Sequence, residues 1–225
     1  GLPVYVDEKK YRPHMGKPLY KIPAPVKGYA SFGAYYALKY QEAFNKIGCQ
    51  PEIIWSHELY ASGKMDKIVR VALDNADKIR RIYKQVAGYD KPSNWHPYQV
   101  ICPQCGKVGT TIVTSWDGKL VSYECRRDLV DWAQGCGHQG KIEPVGESGK
   151  LMWKVDWPAH WKVLSISVEC AGIDHFSEGG SRGNLNCNRQ ANEVGGRVHE
   201  GKARAGGRSI HPNFKMILAG RQVRR

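Results

Sequence analysis

At 225 residues and 41% hydrophobic content, the chain has material for one large domain or two modest ones with their own cores. It has no apolar run near the roughly 18 residues that suggest a membrane span, and Gly1 to Lys10 lack the charged-then-apolar layout of a secretory leader. A cytoplasmic, membrane-free protein is expected, with a natural start upstream of Gly1. The formal charge of +13 favours polyanionic partners. It is unevenly spread: residues 183–225 carry nine Lys or Arg against Glu193 and Glu200, so this tail supplies +7 of the total.

Residues 1–30 are rich in proline and lysine without periodicity and read as an extended connection. Ser31 is a helix N-cap, after which Tyr35, Ala37, Leu38, Ala43, Phe44 and Ile47 recur at helical spacing until Gly48. A strand is expected at Glu52 to Trp55. A long helix is expected from Met65 to Ala87, with Ile68, Val69, Ala72, Ala76, Ile79, Ile82, Tyr83 and Val86 on one face and Gly88 at its end. Helix, strand, helix is the signature of one crossover in an α/β sheet.

From Tyr98 to Val145 the texture changes to short β-type pieces: Tyr98 to Ile101, Thr110 to Ser115, a turn at Trp116-Asp117-Gly118, and Leu120 to Glu124. So small a β-rich unit buries little surface, and a bound metal can substitute for a core. After Gly149, Leu151 to Val155 and Val163 to Glu169 read as buried strands. Past Gly183 only Phe214 to Ala219 reads as a strand, and the Gly/Arg-rich stretch 183–210 is left without assigned structure.

Seven cysteines is an odd number, and clustered cysteines in a cytosolic chain are more often metal ligands than disulfides. Cys102-Pro-Gln-Cys105-Gly is a zinc knuckle, and Cys125 follows after nineteen residues. Cys136-Gly-His138 comes ten residues later, a longer gap than a regular zinc ribbon has. Four cysteines, or three with His138 as the alternative ligand, would close the coordination sphere, so the zinc is expected to be structural. Cys49, Cys170 and Cys187 read as ordinary thiols.

Trp153, Trp157 and Trp161 recur every four residues with Lys154, Asp156, His160 and Lys162 between them. On a helix they form one stripe, which is either core or the aromatic wall of a pocket for a charged small molecule. Gly172-Ile-Asp174-His175 follows an apolar run directly. A carboxylate just past a strand's carboxyl end is placed to take ribose hydroxyls in open α/β sheets, and Gly179-Gly180-Ser181 offers close backbone approach.

In this order, the four-cysteine unit, Lys-Val-Asp156-Trp157-Pro-Ala-His160-Trp161, Gly172-Ile-Asp174-His175 and Gly179-Gly180-Ser181 resemble the class I lysyl-tRNA synthetases of archaeal type. Gly16-Lys-Pro-Leu, Ile22-Pro-Ala-Pro, Glu58-Leu-Tyr60-Ala-Ser-Gly63 and Trp116-Asp-Gly118 also fit, so the likeness covers residues 1 to about 182. It implies a Rossmann-type α/β catalytic domain, residues 1–97 and 146–182, with a β-rich zinc-binding insertion at 98–145 and an irregular basic tail at 183–225. It implies lysine activation by ATP with Mg2+ and transfer to tRNA. Gly172, Asp174, His175, Gly179 and Gly180 would hold ATP, and Asp156, Trp157 and Trp161 would hold lysine. Cys102, Cys105, Cys125 and Cys136 would hold zinc, in a unit facing the acceptor stem.

The chain departs from the family at His160, where an arginine is usual, and at Ile173, where lysine is common. Signatures of the His-Ile-Gly-His and Lys-Met-Ser-Lys-Ser types are absent from the sequence, so impaired activity is expected of the chain alone. Residues 183–210 leave the family pattern and His211 to Gly220 returns to it, which is read as a frameshift. The alternative to the enzyme is a non-catalytic, zinc-containing RNA-binding protein.

Overall fold

The structure is a computed structural model that describes residues 7–88 and 90–167, together with the backbone of 215–218. Helices and strands are mixed. Within residues 7–30, expected to be extended, α1 (Glu8–Tyr11) is followed by single 3-10 turns at Arg12–His14 and Leu19–Lys21. Asp7 caps α1 by accepting from the Lys10 N–H, and Tyr11 is buried. The segment is thus folded by local caps and by one aromatic anchor.

Helix α2 (Phe32–Lys46) begins as expected at Ser31, whose hydroxyl accepts from the Ala34 N–H at 3.1 Å. Strand β1 (Glu52–Trp55) runs parallel to β7 (Lys215–Leu218), with Glu52 opposite Lys215 and Trp55 opposite Leu218. Helix α3 (Ser56–Ala61) starts at the carboxyl end of β1.

The single helix expected from Met65 to Ala87 is instead two, α4 (Asp66–Asp74) and α5 (Ala76–Ala87), broken at Asn75. Asn75 sits at φ −105° and ψ 23° and its side-chain amide donates to the Val71 carbonyl at 2.9 Å. An asparagine side chain competes with the helix for backbone groups, and here it ends one run and opens the next. The apolar spacing survives the break, because Val69, Ala72, Leu73, Ala76, Ile82 and Tyr83 are all buried.

Strand β2 (Tyr98–Val100) pairs antiparallel with β6 (Gly149–Leu151). Between them lies a three-stranded antiparallel sheet in the order β3 (Thr111–Trp116), β4 (Val121–Cys125), β5 (Gln139–Ile142). Strand β5, with its two polar residues and a glycine, carries no apolar alternation that would have announced it. The two strands expected after Gly149 are corrected. The first stops at Leu151, and α6 (Trp153–Leu164) takes up Val155, Val163 and Leu164; Val168 and Glu169 lie outside the described residues. In α6, residues 155, 159 and 163 share one face, so their apolar spacing belongs to a helix rather than to a two-residue strand period.

One core unites these parts. Met65, Val69 and Leu73 from α4 and its approach meet Tyr98 and Val100 of β2, Val113, Val121 and Tyr123 of the β-sheet, Leu151 of β6 and Ala159 of α6. Full burial of a side chain of this size is worth about 1.5–3 kcal/mol. The cysteine-bearing sheet therefore shares its hydrophobic core with the helices that lead to α6.

Candidate zinc centre and ligand-binding helix

The knuckle forms in the loop after β2. The Gly106 N–H donates to the Cys102 carbonyl at 2.7 Å, the Cys102 N–H donates to the Lys107 carbonyl at 2.9 Å, and Gly106 takes φ +71° to close the turn. Cys125 ends β4, and Cys136 comes from the loop between β4 and β5. Its approach requires Gly135, where a Cβ would lie 2.1 Å from the Arg126 carbonyl oxygen.

The four sulfurs lie within 4.8 Å of one another, with Cys102 and Cys136 Sγ 3.6 Å apart and Cys105 and Cys125 Sγ 3.7 Å apart. Tetrahedral zinc with Zn–S bonds of about 2.3 Å sets sulfurs about 3.8 Å apart, so the cluster matches this geometry. Outer contacts are present as well: Thr110 Oγ1 is 3.3 Å and the Cys136 N–H 3.4 Å from Cys125 Sγ. Burial pushes Cys102 up and Cys105 to about 12. Burial also acts on Cys136, but the His138 backbone N–H and neighbouring thiols outweigh it and hold this thiol below its ordinary value. Such a set exchanges its protons for a soft divalent cation. His138 is not in the cluster; its ring stands 6.0 Å from that of Tyr123.

The second constellation is on α6, where the tryptophan spacing does make a stripe: the Trp153 and Trp157 rings meet edge to face at 5.8 Å. Asp156, in the first turn, is 1% exposed. Its Oδ1 accepts from the Tyr60 hydroxyl at 2.6 Å, and that hydroxyl accepts in turn from the Leu151 N–H at 2.9 Å. Burial, reinforced by the Asp156 charge, pushes the Tyr60 hydroxyl well above the usual phenol range, so it stays a donor. Asp156 Oδ2 makes no hydrogen bond; the nearest cation is Lys150 Nζ at 3.6 Å.

One turn on, His160 is also 1% exposed. Its Nδ1 faces the Asp156 carbonyl at 2.7 Å and Asp156 Oδ1 at 3.4 Å, while Nε2 lies 3.0 Å from Ser56 Oγ. A carbonyl can only accept, so Nδ1 carries a proton, and in the neutral ring the Ser56 hydroxyl then donates to Nε2. Ser56 directly follows β1, so His160 ties α6 to the carboxyl edge of the parallel strands. Trp161 Nε1 is buried without a partner. Among the described residues, two of the three buried side-chain polar atoms lacking a hydrogen bond, Asp156 Oδ2 and Trp161 Nε1, are on α6; the other is His14 Nδ1.

The structure thus brings together Asp156, Trp157 and Trp161 on one helix and the four cysteines in one cluster. Gly172, Asp174, His175, Gly179 and Gly180 lie outside the described residues. Tyr60, Ser56 and Lys150 escaped the sequence reading. Glu58-Leu-Tyr60 stands out in the sequence only as a family-like string, and nothing in its spacing reveals a partner 96 residues away.

The family model described as "tRNA synthetases class I (K)" matches residues 1–189. The lysine–tRNA ligase of Methanosarcina barkeri is 38% identical over 173 residues, covering 77% of this chain and 31% of the relative. Lysine–tRNA ligase 1 of Methanosarcina acetivorans is 35% identical over 173 residues, again covering 77% and 31%. The enzyme of Archaeoglobus fulgidus is 35% identical over 173 residues, covering 77% and 33%. The chain spans about a third of the length of these relatives. With most of its residues matched by that model, the chain belongs to the class I lysyl-tRNA synthetase family.

Proposed function

We propose that this chain contributes the lysine-recognising part of a Rossmann-type synthetase domain that activates lysine with ATP and passes it to tRNA in the cytoplasm. The observation that carries the reading is the pair of orphaned buried polar atoms on α6, an acceptor at Asp156 and a donor at Trp161, beside an aromatic stripe. Buried polar groups are ordinarily satisfied, and an amino-acid ligand brings both an ammonium to donate and a carboxylate to accept. β1 and β7 are parallel and Ser56 follows the carboxyl end of β1, the edge at which open α/β sheets bind ligands.

In this reading Trp157 and Trp161 wall the lysine site and Asp156 supplies its negative charge. Gly172, Asp174, His175, Gly179 and Gly180 take the nucleotide, with Mg2+ neutralising its phosphates. The lysine carboxylate attacks the α-phosphorus in line, pyrophosphate leaves, and a hydroxyl of the tRNA terminus then takes the lysyl group from the adenylate, releasing AMP. The protein's contribution is positioning and charge neutralisation. Residues 98–145 form the zinc-bearing insertion, flanked by 1–97 and 146–182, with 183–225 as a basic tail. Cys102, Cys105, Cys125 and Cys136 hold a structural zinc that stiffens the surface offered to the acceptor stem; bound zinc supplies rigidity rather than chemistry.

The test is calorimetric titration with a stable lysyl-adenylate analogue, using the zinc-loaded chain and its Trp157→Ala and Asp174→Ala variants. Saturable binding that both substitutions abolish is expected. A folded chain that binds no analogue yet retains RNA would replace this reading with the RNA-binding one.

A further inference from the structure

We propose that Asp156 Oδ2 is a seat for a primary alkylammonium group and that Lys150 fills it when no ligand is bound, so that the chain's own lysine competes with the amine of an incoming substrate. The proposal deepens the lysine-binding reading and rests on it for the identity of the natural ligand.

The argument starts from an asymmetry between the two oxygens. Oδ1 is fully engaged, with the Tyr60 hydroxyl at 2.6 Å and His160 Nδ1 at 3.4 Å. Oδ2 is equally buried and has no hydrogen bond. A buried carboxylate oxygen left so is costly, and its nearest cation, Lys150 Nζ, stops at 3.6 Å, beyond hydrogen-bond distance. The pairing is therefore electrostatic and loose, and a donor at about 2.8 Å would improve it.

Lys150 is also the more exposed partner. Its side chain keeps 29% of its exposure against 1% for Asp156, so the ammonium reaches the carboxylate from the solvent side and can leave by the same way. Its backbone is fixed, because β6 sets Lys150 opposite Gln99. Asp156 cannot follow it outward, since Tyr60 bonds both Asp156 Oδ1 and the Leu151 N–H, clamping the start of α6 to β6. What remains is a fixed anionic seat and a tethered ammonium on a flexible stem. The side chain of substrate lysine ends in the same group on the same four-carbon stem. Displacement exchanges one ammonium for another without leaving the buried charge unpaired.

The test uses the full zinc-loaded chain, its Lys150→Met variant and a Lys150→Met/Asp156→Asn double variant. Each is melted in n-butylammonium chloride and in potassium chloride of equal ionic strength, and titrated with the lysyl-adenylate analogue. Butylammonium should raise the melting temperature of Lys150→Met and leave the double variant unmoved. The analogue should bind Lys150→Met about tenfold tighter than the unaltered chain if Lys150 occupies the seat about nine-tenths of the time. Equal analogue affinity in the unaltered and Lys150→Met chains, or equal butylammonium shifts in all three, overturns the proposal. Butylammonium rescue without analogue binding by any chain upholds the ammonium seat while removing the lysine-adenylate reading. Lys150→Gln serves as a second variant. If neither single variant folds with or without butylammonium, Lys150 is purely structural and the proposal fails.

Discussion

Replacing Tyr60 with phenylalanine removes one oxygen atom and two hydrogen bonds. The hydroxyl donates to Asp156 Oδ1 at 2.6 Å and accepts from the Leu151 N–H at 2.9 Å, both in the interior. A hydrogen bond to a charged acceptor contributes about 1.5–3 kcal/mol, and an orphaned buried N–H costs about 1–3 kcal/mol. Phe fills the ring's space, so no cavity offsets the comparison, and the expected loss is about 3–5 kcal/mol. At roughly 2–4 °C per kcal/mol for a chain of this size, the melting temperature should fall by about 6–20 °C. Urea unfolding followed by circular dichroism gives the free energy, and an unchanged slope shows that the same surface is exposed. A cycle with Asp156→Asn separates the two bonds. Coupling of about 1–3 kcal/mol between the sites is expected, because the amide keeps the shape but not the charge. A Tyr60→Phe loss under about 1 kcal/mol, or no coupling, would refute the claim that this hydroxyl clamps α6 to β6.

Gly135→Ala should cost zinc retention more than any other single-methyl addition near the cluster, because its Cβ would sit 2.1 Å from the Arg126 carbonyl oxygen and the Cys136 loop must move; metal content after dialysis reads it. Chelation should unfold the β-sheet cooperatively with the helices that share its core, and circular dichroism at helical wavelengths should lose signal together with the metal. Alkaline pH should destabilise the chain through Tyr60: its folded value lies well above the ordinary 10.0, so this contribution is intact below about pH 10 and is lost as pH rises toward the folded value. The urea midpoint of Tyr60→Phe should therefore fall less steeply between about pH 9 and pH 11 than that of the unaltered chain. Ser56→Ala should lose about 1 kcal/mol in urea unfolding by leaving His160 Nε2 without its partner.

What the sequence revealed and what it hid follow from the range of the forces involved. Ser31 and the Cys102–Cys105 knuckle are legible because a cap and a tight turn are set by residues three or four positions apart. The break at Asn75 was hidden by its own neighbours: apolar spacing continues across it, and only a side-chain bond to Val71 O marks the stop. Helix α6 reads partly as strand because its two ends fall in the apolar runs Leu151 to Val155 and Val163 to Glu169. The α6 partners Tyr60, 96 residues away, and Ser56, 104 residues away, could not be read, since no local pattern records which distant hydroxyl will meet a buried acid.

The cysteine cluster and the candidate lysine site are linked through one short pair of strands. β2 leads to Cys102 and β6 leads to α6, and Gln99 lies opposite Lys150. The Ile101 N–H donates to the Ser148 carbonyl and the Met152 N–H to the Pro97 carbonyl, each at 2.9 Å, so the pairing extends beyond both strand ends. Gly149 permits it: a Cβ there would fall 2.3 Å from the Gln99 carbonyl oxygen and 2.6 Å from the Tyr98 ring. A sheet of two three-residue strands is marginal by itself, and it holds here because the hydrogen-bonded cysteine turn fixes one strand's exit while Tyr60 fixes the other's. Removal of the proposed zinc should loosen β2 first, then the register that aims Lys150 at Asp156. In the Lys150→Met background, Gly149→Ala should therefore weaken ammonium binding even with zinc fully retained. A variant that keeps both its zinc and its butylammonium response would show that the two sites are independent.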